Sequence, residues 1–455
     1  MKKKTLSAVF AALAATCVCA GFSACEKNGN DLDLFNFTLL EDDTYSISAG
    51  KAEQPEKITI PDNYQGKPVT VIKKEGFRKC KNLKEIAIGK NITSIDDYAF
   101  SECYGLTNLI IPNNVKSIGD SAFLACNRLA SLTLGEGMAT IGKGAFGYCI
   151  HLTSLAIPNN VLFVGENAFH GCYKLVEIIN NSSLDIQVGD KDNGEIGYYA
   201  LNVKQGGASD IVNKNGYLFY ASNEVNYLLG YVGSETVLSL PNGYNGENYK
   251  IYKSAFSWQD ALTEIGIPDK VVGIGENAFQ SCNGLTNIAI PDSITVICEG
   301  TFRNCGGLTN VIIPDGLTTI GDEAFESCNK LLSITMSDNL VYIGSEAFAH
   351  CNKLVNVTIP DSVSFIGFNA FKHCIGLTNV TIGSNVSIIR SGIFVDCEQL
   401  QKVYYHGTAE EWNEISINSD NSNLTSATRY YYSETKPTES GNYWHYNDKN
   451  EIEEW

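Results

Sequence analysis

One spacing constrains this sequence more than any other feature, because phenylalanine recurs every 23 residues in two long series. A cysteine stands three residues after each of these phenylalanines, except that Gln259 follows Phe256. A fixed period of 20 to 50 residues is typical of a solenoid, in which each repeat packs only on its neighbours. The two series are Phe77, Phe100, Phe123, Phe146 and Phe169, and Phe256, Phe279, Phe302, Phe325, Phe348, Phe371 and Phe394.

A clear copy of the repeat occupies residues 106–126, and its first part predicts a short strand. Leu106, Leu109 and Ile111 follow the L-x-x-L-x-L spacing of a leucine-rich repeat strand. Since strand side chains alternate, Leu109 and Ile111 should point inward and Ile110 outward. Pro112 has no N–H for a ladder and therefore marks the end of the strand.

The second part of the repeat predicts a turn and a short helical segment. Gly119 should permit a turn that a β-carbon would resist, and Asp120 is placed to cap a short helical turn. The remaining apolar residues would complete the inward face, and they are Val115, Ile118, Ala122 and Phe123. Stacked repeats would then form a parallel sheet with strands ~4.8 Å apart.

The repeats fall into two similar arrays. Each begins with two β-rich runs around a short polar turn, typical of a hairpin, and continues through one expanded repeat into regular ones. The predicted fold is a leucine-rich repeat solenoid: a curved parallel sheet with short helical turns on its convex side, in two tandem arrays with hairpin lead-ins. The expected boundaries are a signal peptide (1–24), a tether (25–33), a first module (34–180), a solvated connector (181–210), a second module (211–403) and an aromatic-rich C-terminal cap (404–455).

The N-terminus reads as an export signal. Lys2, Lys3 and Lys4 precede an apolar run over residues 6–20, which is short for a membrane span. The segment 22–25 ends in Cys25 and resembles the bacterial lipobox, in which cleavage precedes an acylated cysteine. The resemblance implies a lipid anchor at Cys25 and a location on the cell surface or the outer face of a membrane; plain secretion is the alternative.

The composition argues against nucleic acid as a partner. The net charge is −18, whereas nucleic-acid binding requires clustered lysine and arginine. No further long apolar segment occurs, so contact with a membrane is expected only through the N-terminal anchor.

The cysteine ladder predicts buried core residues rather than disulfides. The first array has an odd number of ladder cysteines, and parallel side chains on stacked repeats suit a disulfide poorly. The C-x-x-C and Cys/His spacings of a structural zinc site do not occur. The ladder cysteines are Cys80, Cys103, Cys126, Cys149, Cys172, Cys282, Cys305, Cys328, Cys351, Cys374 and Cys397.

The sequence offers no catalytic motif. It contains no G-x-S-x-G, no Gly-rich phosphate loop and no H-E-x-x-H, so no enzyme activity, metal or cofactor is expected. His350 and His373 are one period apart and should stack on adjacent repeats as an exposed pair.

The outward positions of the strands, on the presumed concave face, are short, polar and almost uncharged. They suit a hydrogen-bonding platform for a protein or a glycan, or they are good strand formers without a ligand. The candidate ligand-binding residues are Thr107, Asn108, Ile110, Thr286, Asn287, Thr309, Asn310, Ile312, Asn356, Thr358, Thr378, Asn379 and Thr381.

The repeat unit Leu-Thr-x-x-x-Ile-Pro-x-x-Val-x-x-Ile-Gly-x-x-Ala-Phe-x-x-Cys resembles the BspA-like, Treponema-type leucine-rich repeats of bacterial surface proteins, as do residues 405–412 and 441–446 of the tail. The resemblance implies a non-enzymatic surface protein for adhesion to host matrix proteins or other cells. A carbohydrate-binding surface protein for glycan capture is the alternative.

Overall fold

The computed structural model describes residues 34–222, 225–449 and 451–455. The expected signal peptide, the tether and Cys25 lie outside the described residues. The strands of the first half of the chain are β1 Phe35–Leu39, β2 Tyr45–Ala49, β3 Lys57–Thr59, β4 Asn63–Tyr64, β5 Lys67–Ile72, β6 Glu85–Ala87, β7 Ser94–Ile95, β8 Asn108–Ile110, β9 Ser117–Ile118, β10 Ser131–Thr133, β11 Thr140–Ile141, β12 Ser154–Ile157, β13 Phe163–Val164, β14 Glu177–Asn180 and β15 Asn202–Lys204.

The second half adds strands and two of the three described helices. The strands are β16 Val212–Lys214, β17 Tyr217–Ser222, β18 Val225–Tyr231, β19 Val237–Ser239, β20 Tyr249–Ile251, β21 Glu264–Gly266, β22 Val271–Ile274, β23 Asn287–Ala289, β24 Val296–Ile297, β25 Asn310–Ile312, β26 Thr319–Ile320, β27 Tyr342–Ile343, β28 Asn356–Ile359, β29 Phe365–Ile366, β30 Asn379–Ile382, β31 Ile388–Ile389, β32 Lys402–Tyr405, β33 Ser416–Ile417, β34 Thr428–Tyr432, β35 Tyr443–Tyr446 and β36 Ile452–Glu454. The helices are α1 Asp192–Glu195, α2 Ala409–Glu414 and α3 Ser422–Ser426.

The regular repeats stack in two parallel ladders, which confirms the solenoid. The L-x-x-L-x-L segments form what we call the front ladder, for example β6, β8 and β10 in the first array and β21, β23 and β25 in the second. Later in each repeat, a second short strand that ends at an isoleucine forms what we call the side ladder. Examples are β7, β9 and β11 in the first array and β24, β26, β27 and β29 in the second. The sequence pattern predicted the front strands but not the side strands.

The two lead-in hairpins are confirmed. β1 pairs with β2, and β17 with β18, in antiparallel fashion. The second strand of each hairpin then pairs in parallel with the first strand of the side ladder, β2 with β5 and β18 with β20. Each hairpin therefore covers the open edge of a side ladder, which would otherwise expose unpaired backbone groups.

The third side of each coil consists of turns rather than the expected short helices. Ser121 and Ala125 have positive φ angles of 55° and 59°. The backbone N–H of Ser121 donates to Lys143 of the next coil (2.7 Å) instead of to its own segment. Asp120 likewise accepts from the backbone N–H of Lys143 (2.7 Å), so it links coils and does not cap a helix. Gly119 is required for coil spacing, because a β-carbon there would lie 2.5 Å from the backbone nitrogen of Asp97.

The core of each array is a ladder of stacked phenylalanine rings. Neighbouring rings such as Phe100 and Phe123 lie 5.2 Å apart and nearly parallel. The ladder cysteines are buried as expected, apart from the partly buried Cys80. Their thiols also form hydrogen bonds: Cys126 donates to the carbonyl of Phe100 (3.4 Å), a role that the spacing did not predict. The two arrays have separate main cores, one over residues 35–200 and one over residues 219–424.

Part of the expected solvated connector is packed against the first array. Ile186, Ile196 and Ala200 are buried in the first core. In the earlier coils the backbone N–H of the phenylalanine donates to a carbonyl of the next coil, as Phe146 does to Ala168. The backbone N–H of Phe169 donates in the same way to the carbonyl of Gly194 (2.9 Å). β15 extends the front ladder beyond β14. Residues 181–204 thus form an irregular further coil, because their few apolar side chains cover the last exposed phenylalanine ring.

The C-terminal residues continue both ladders of the second array. β32 and β34 extend the front ladder in parallel, and β33 extends the side ladder. α2 begins with a capping box between Thr408 and Glu411. The indole of Trp444 is buried and donates to the carbonyl of Tyr405 (3.0 Å). These contacts carry the tail back over the last coils.

Candidate functional site

The candidate residues lie on the outer surface of the front ladder, which we call the front face. Thr107, Asn108 and Ile110 are exposed on the first array, whereas the other candidates belong to the second array and to different sheets. Within the second array, Thr286, Asn287, Asn310, Ile312, Asn356 and Thr358 are exposed, and Thr309, Thr378 and Asn379 are partly exposed.

Thr381 is a correction to the sequence analysis, because its exposed fraction is only 5%. In the parallel register it lies beside Tyr404 of β32, whose large ring replaces the threonine of earlier coils. Tyr404 packs against Tyr430 at 5.2 Å and Trp444 at 5.7 Å. The tail therefore covers this end of the front face and removes Thr381 from solvent.

Many threonine hydroxyls of the front face are engaged in the fold itself. The hydroxyl of Thr309 donates to the carbonyl of Thr286 on the preceding coil (3.0 Å), and that of Thr378 donates to Val355 (3.2 Å). Thr107 makes the same contact with Lys84 (3.3 Å). This threonine column therefore joins successive coils, which leaves fewer free donors for a ligand than the sequence suggested.

The centre of the front face in the second array is apolar. The exposed fractions of Ile312, Leu332 and Val355 are 58%, 56% and 43%. Leu332 and Val355 were missed as site residues, although a signal was present: they occupy the repeat position that Thr309 and Thr378 hold in neighbouring coils. Exposed apolar side chains with polar neighbours, such as Asn310, Asn356 and the exposed Lys330 and Lys353, are characteristic of interaction surfaces.

The front ladder is interrupted beside this apolar group. Residues 331–337 form no strand and lie between β25 and β28, while the side ladder continues through β27. Met336 and Ser337 stand where other repeats have Ile-Pro, and the Ser337 hydroxyl donates to the carbonyl of Asp315. The interruption adjoins a groove of about 700 Å³.

The groove combines front-face residues with residues of the tail. Its lining includes Thr335, Thr358, Thr381, Asp315, Asp338, Asp361, His406 and Tyr446. Nδ1 of His406 lies 2.6 Å from a carboxylate oxygen of Asp361. Burial, followed by the carboxylate of Asp361, raises the pKa of the Tyr446 phenol, which keeps it a hydrogen-bond donor. His406 and Tyr446 were assigned only to the cap, because the sequence does not show that the tail returns to the groove.

In the groove, the serine hydroxyls are engaged by the backbone of the fold itself. Its two serine hydroxyls, Ser337 and Ser362, donate to the backbone carbonyls of Asp315 and Leu340, so neither is paired with a base. A nucleophile needs such a base within hydrogen-bonding reach.

His350 and His373 lie on adjacent coils with ring centroids 4.9 Å apart, but their ring planes are tilted by 45° and both residues are only partly exposed. Across the described residues, no group of three or more His, Cys, Asp or Glu comes together in a way that could hold a metal ion. None of the helices in that same part of the chain has the length and apolarity needed to cross a bilayer.

A family model described as "BspA type Leucine rich repeat region (6 copies)" matches residues 51–176, 249–375 and 319–434, more than half of the chain. No curated protein matches the chain.

Among solved structures, the chain is similar to a leucine rich cell surface protein from Faecalibacterium prausnitzii, with 21% identity over 88% of this chain and 99% of that chain and a TM-score of 0.31. A leucine-rich repeat protein from Bacteroides ovatus is 23% identical over 85% and 98% of the two chains, with a TM-score of 0.32. One from Eubacterium ventriosum is 23% identical over 75% and 92%, with a TM-score of 0.35. These similarities provide no argument about a ligand.

Proposed function

The chain belongs to the family of proteins with BspA-type leucine-rich repeats, and on that premise we propose that it is a non-enzymatic protein of the cell surface whose front face binds other proteins. The partners we propose are extracellular matrix proteins or proteins on other cells. Export would follow from the N-terminal signal, and anchoring from acylation of Cys25.

The observation that carries the proposal is the exposed apolar group of Ile312, Leu332 and Val355 on the front face. Asn310 and Asn356 lie beside it and supply uncharged hydrogen-bonding groups. A protein interface commonly has such an apolar centre with a polar rim, and charged side chains are depleted at its core. Ile312 lies on β25, and Leu332 and Val355 occupy the same position in consecutive coils, so the stacking of the coils sets their spacing and little order would be lost on binding.

The test is binding of residues 26–455 to a panel of immobilised matrix proteins, with a glycan array measured in parallel. The double variant Ile312→Asp/Val355→Asp places two charges at the apolar centre and should weaken a detected protein interaction at least about 10-fold, because an unpaired charge would have to be desolvated. Ile388→Asp is the matched control, since Ile388 is similarly exposed (47%) but lies on the side ladder. Equal binding by the parent and the double variant would place the site elsewhere.

A second candidate function, glycan binding, is favoured by the groove. Hydroxyls of Thr335 and Thr358, the carboxylate of Asp338 and the ring of Tyr446 lie around one space, and sugars offer both hydroxyls and an apolar ring face. A glycan-array signal that Tyr446→Ala removes, with no signal on the protein panel, would favour this alternative over the first.

A further inference from the structure

An aromatic stack runs along the side ladder of the second array, on a different surface from the front face. Val296, Thr319, Tyr342 and Phe365 occupy equivalent positions in four consecutive coils and are paired in register. The rings of Tyr342 and Phe365 lie 4.7 Å apart and almost parallel, at 5°. Each ring therefore uses one face for its neighbour and has one face left for another contact.

The two ends of this stack differ. The outer face of Phe365 is covered by Arg390, whose guanidinium carbon lies 4.5 Å from the ring centroid. The outer face of Tyr342 is turned toward the coil of Thr319, whose short side chain cannot cover an aromatic ring. The stack thus ends on a guanidinium on one side and on an open space on the other.

The open end borders a shallow surface depression of about 270 Å³, which we call the side slot. Its lining includes Val296, Thr319, Tyr342, Glu276, Glu299 and Asp322. Val296 and Tyr342 are two strand spacings apart, about 9.6 Å. A flat group in van der Waals contact on both faces needs ~7–8 Å, so the slot suits a planar group over Thr319.

Three carboxylates, those of Glu276, Glu299 and Asp322, line the side slot, and Lys253 is near enough to interact with that of Glu276. Glu299 has no ion pair in the described part of the chain, and its pKa is raised by partial burial and by the carboxylates of Glu276, Glu323 and Asp322. Arg303 acts in the opposite direction, but it is engaged by Glu323 (2.6 Å) and Glu326 (2.7 Å). A cation in the slot would relieve this repulsion.

We infer that the side slot receives the guanidinium of an arginine from a partner protein, stacked on Tyr342 and facing the carboxylates of Asp322 and Glu299. The chain already contains this arrangement at the other end of the same stack, where Arg390 covers Phe365. A guanidinium is planar, stacks on aromatic rings and pairs with carboxylates through a fixed fork of donors. A lysine ammonium has no flat face, and a neutral sugar would leave the carboxylate charge uncompensated.

One carboxylate is fixed for this role. Oδ1 of Asp322 accepts from the backbone N–H of Ser345 (2.7 Å), which holds the side chain next to Tyr342. The side slot is separate from the front face. Val296, Thr319 and Tyr342 lie on side-ladder strands, and the acidic residues of the slot follow shortly after such strands.

The experiment titrates residues 26–455 with the capped peptide Gly-Gly-Arg-Gly-Gly and follows the peptide by NMR. The lysine analogue keeps the positive charge without the planar group, and the citrulline analogue keeps the planar group without the charge. We expect the arginine peptide to bind more tightly than both, and Tyr342→Leu and Asp322→Asn each to weaken it about 3- to 30-fold. Tyr342→Phe keeps the ring and should bind nearly as the parent, which separates loss of the site from loss of folding.

Phe163→Leu is the matched control. Phe163 is an exposed aromatic residue of the first array's side ladder, but the nearby Glu166 is already paired with Lys143 at 2.7 Å. This variant should bind as the parent does. Equal binding of the citrulline or lysine peptide, or unchanged binding by Tyr342→Leu, would overturn the inference; so would a glycan signal that Tyr342→Leu removes while peptide binding persists.

Discussion

Basic side chains at one position of the repeat connect the first array to the second. Arg128, His151 and Lys174 each directly precede the leucine that opens a coil. Arg128 pairs with Asp260 (3.2 Å), and the buried Lys174 donates to the carbonyl of Ala255 (3.0 Å). Three basic residues at a 23-residue spacing are visible in the sequence, but nothing in the sequence shows what lies opposite them.

His151 makes the stability of this region depend on pH. It is buried, and Nδ1 donates to the carbonyl of Asn127 (2.6 Å). Burial, followed by the charge of Lys174, lowers the pKa of His151 from 6.5 to about 3. The unfolded chain therefore binds a proton before the folded chain does, and stability is lost as pH falls from 6.5 toward 3, by at most about 1.4 kcal/mol per pH unit.

We predict that His151→Gln flattens this dependence, measured as the free energy of unfolding in urea between pH 7 and pH 4. His350→Gln, at a partly exposed histidine of the second array, is the control and should follow the parent curve. Lys174 does not contribute in this window, because burial lowers its pKa from 10.5 to about 7 and its effect on stability is confined to the range above pH 7. Parallel curves for His151→Gln and the parent would contradict the assignment.

At the scale of elements, the 23-residue period predicted the solenoid, strand alternation predicted the inward residues, and the β-rich runs before each array predicted the lead-in hairpins. It did not predict the side ladder, whose two-residue strands are too short to leave a pattern of alternation. It also suggested helical turns where positive φ at Ser121 and Ala125 bends the chain instead. Both errors concern hydrogen bonds between coils, which depend on stacking and not on the local sequence.

The candidate site was predictable only in part, for the same reason. Tyr404 lies one period after Thr381, so the burial of Thr381 beside this larger side chain could have been foreseen. Leu332 and Val355 could have been found by comparing repeat positions. The groove could not, because it depends on an interrupted ladder and on a tail that returns His406 and Tyr446 to the front face.

The phenylalanine ladder leads to a prediction about cooperativity. Phe325 is fully buried and stacks on Phe302 and Phe348 at 5.3 Å. Phe325→Ala should cost roughly 3–5 kcal/mol. In a solenoid this loss acts on nearby coils first, so hydrogen exchange should rise around residues 302–348 before it rises in the first array.

Phe123→Ala is the matched variant in the first array, where Phe123 stacks on Phe100 and Phe146 at 5.2 Å. Phe123→Ala should reverse the order, so that hydrogen exchange rises in the first array before it rises in the second. A uniform rise in exchange across both arrays in either variant would show that they unfold as one unit, in spite of their separate cores.

For the whole molecule, we propose that the solenoid stands close to the membrane that carries it. Acylation at Cys25 would leave eight residues before the first described residue, and eight residues reach at most about 29 Å. Removal of residues 1–24, which contain three lysines and no acidic residue, changes the net charge from −18 to −21; this charge would be repelled by an anionic lipid surface, so the tether and the acyl chains alone would hold the protein there.

This arrangement predicts that Cys25→Ser abolishes incorporation of a labelled fatty acid and moves the protein from the membrane fraction into the medium or the soluble envelope fraction. The physical reason is that, once residues 1–24 are removed, the described residues contain no helix long and apolar enough to cross a bilayer, while stable attachment requires buried acyl chains. Cys19→Ser is the matched control, because Cys19 lies in the expected signal segment and should not be acylated. Fractionation of the parent, of Cys25→Ser and of Cys19→Ser measures the outcome. Retention of Cys25→Ser in the membrane would mean that another contact of the chain holds the protein at the surface.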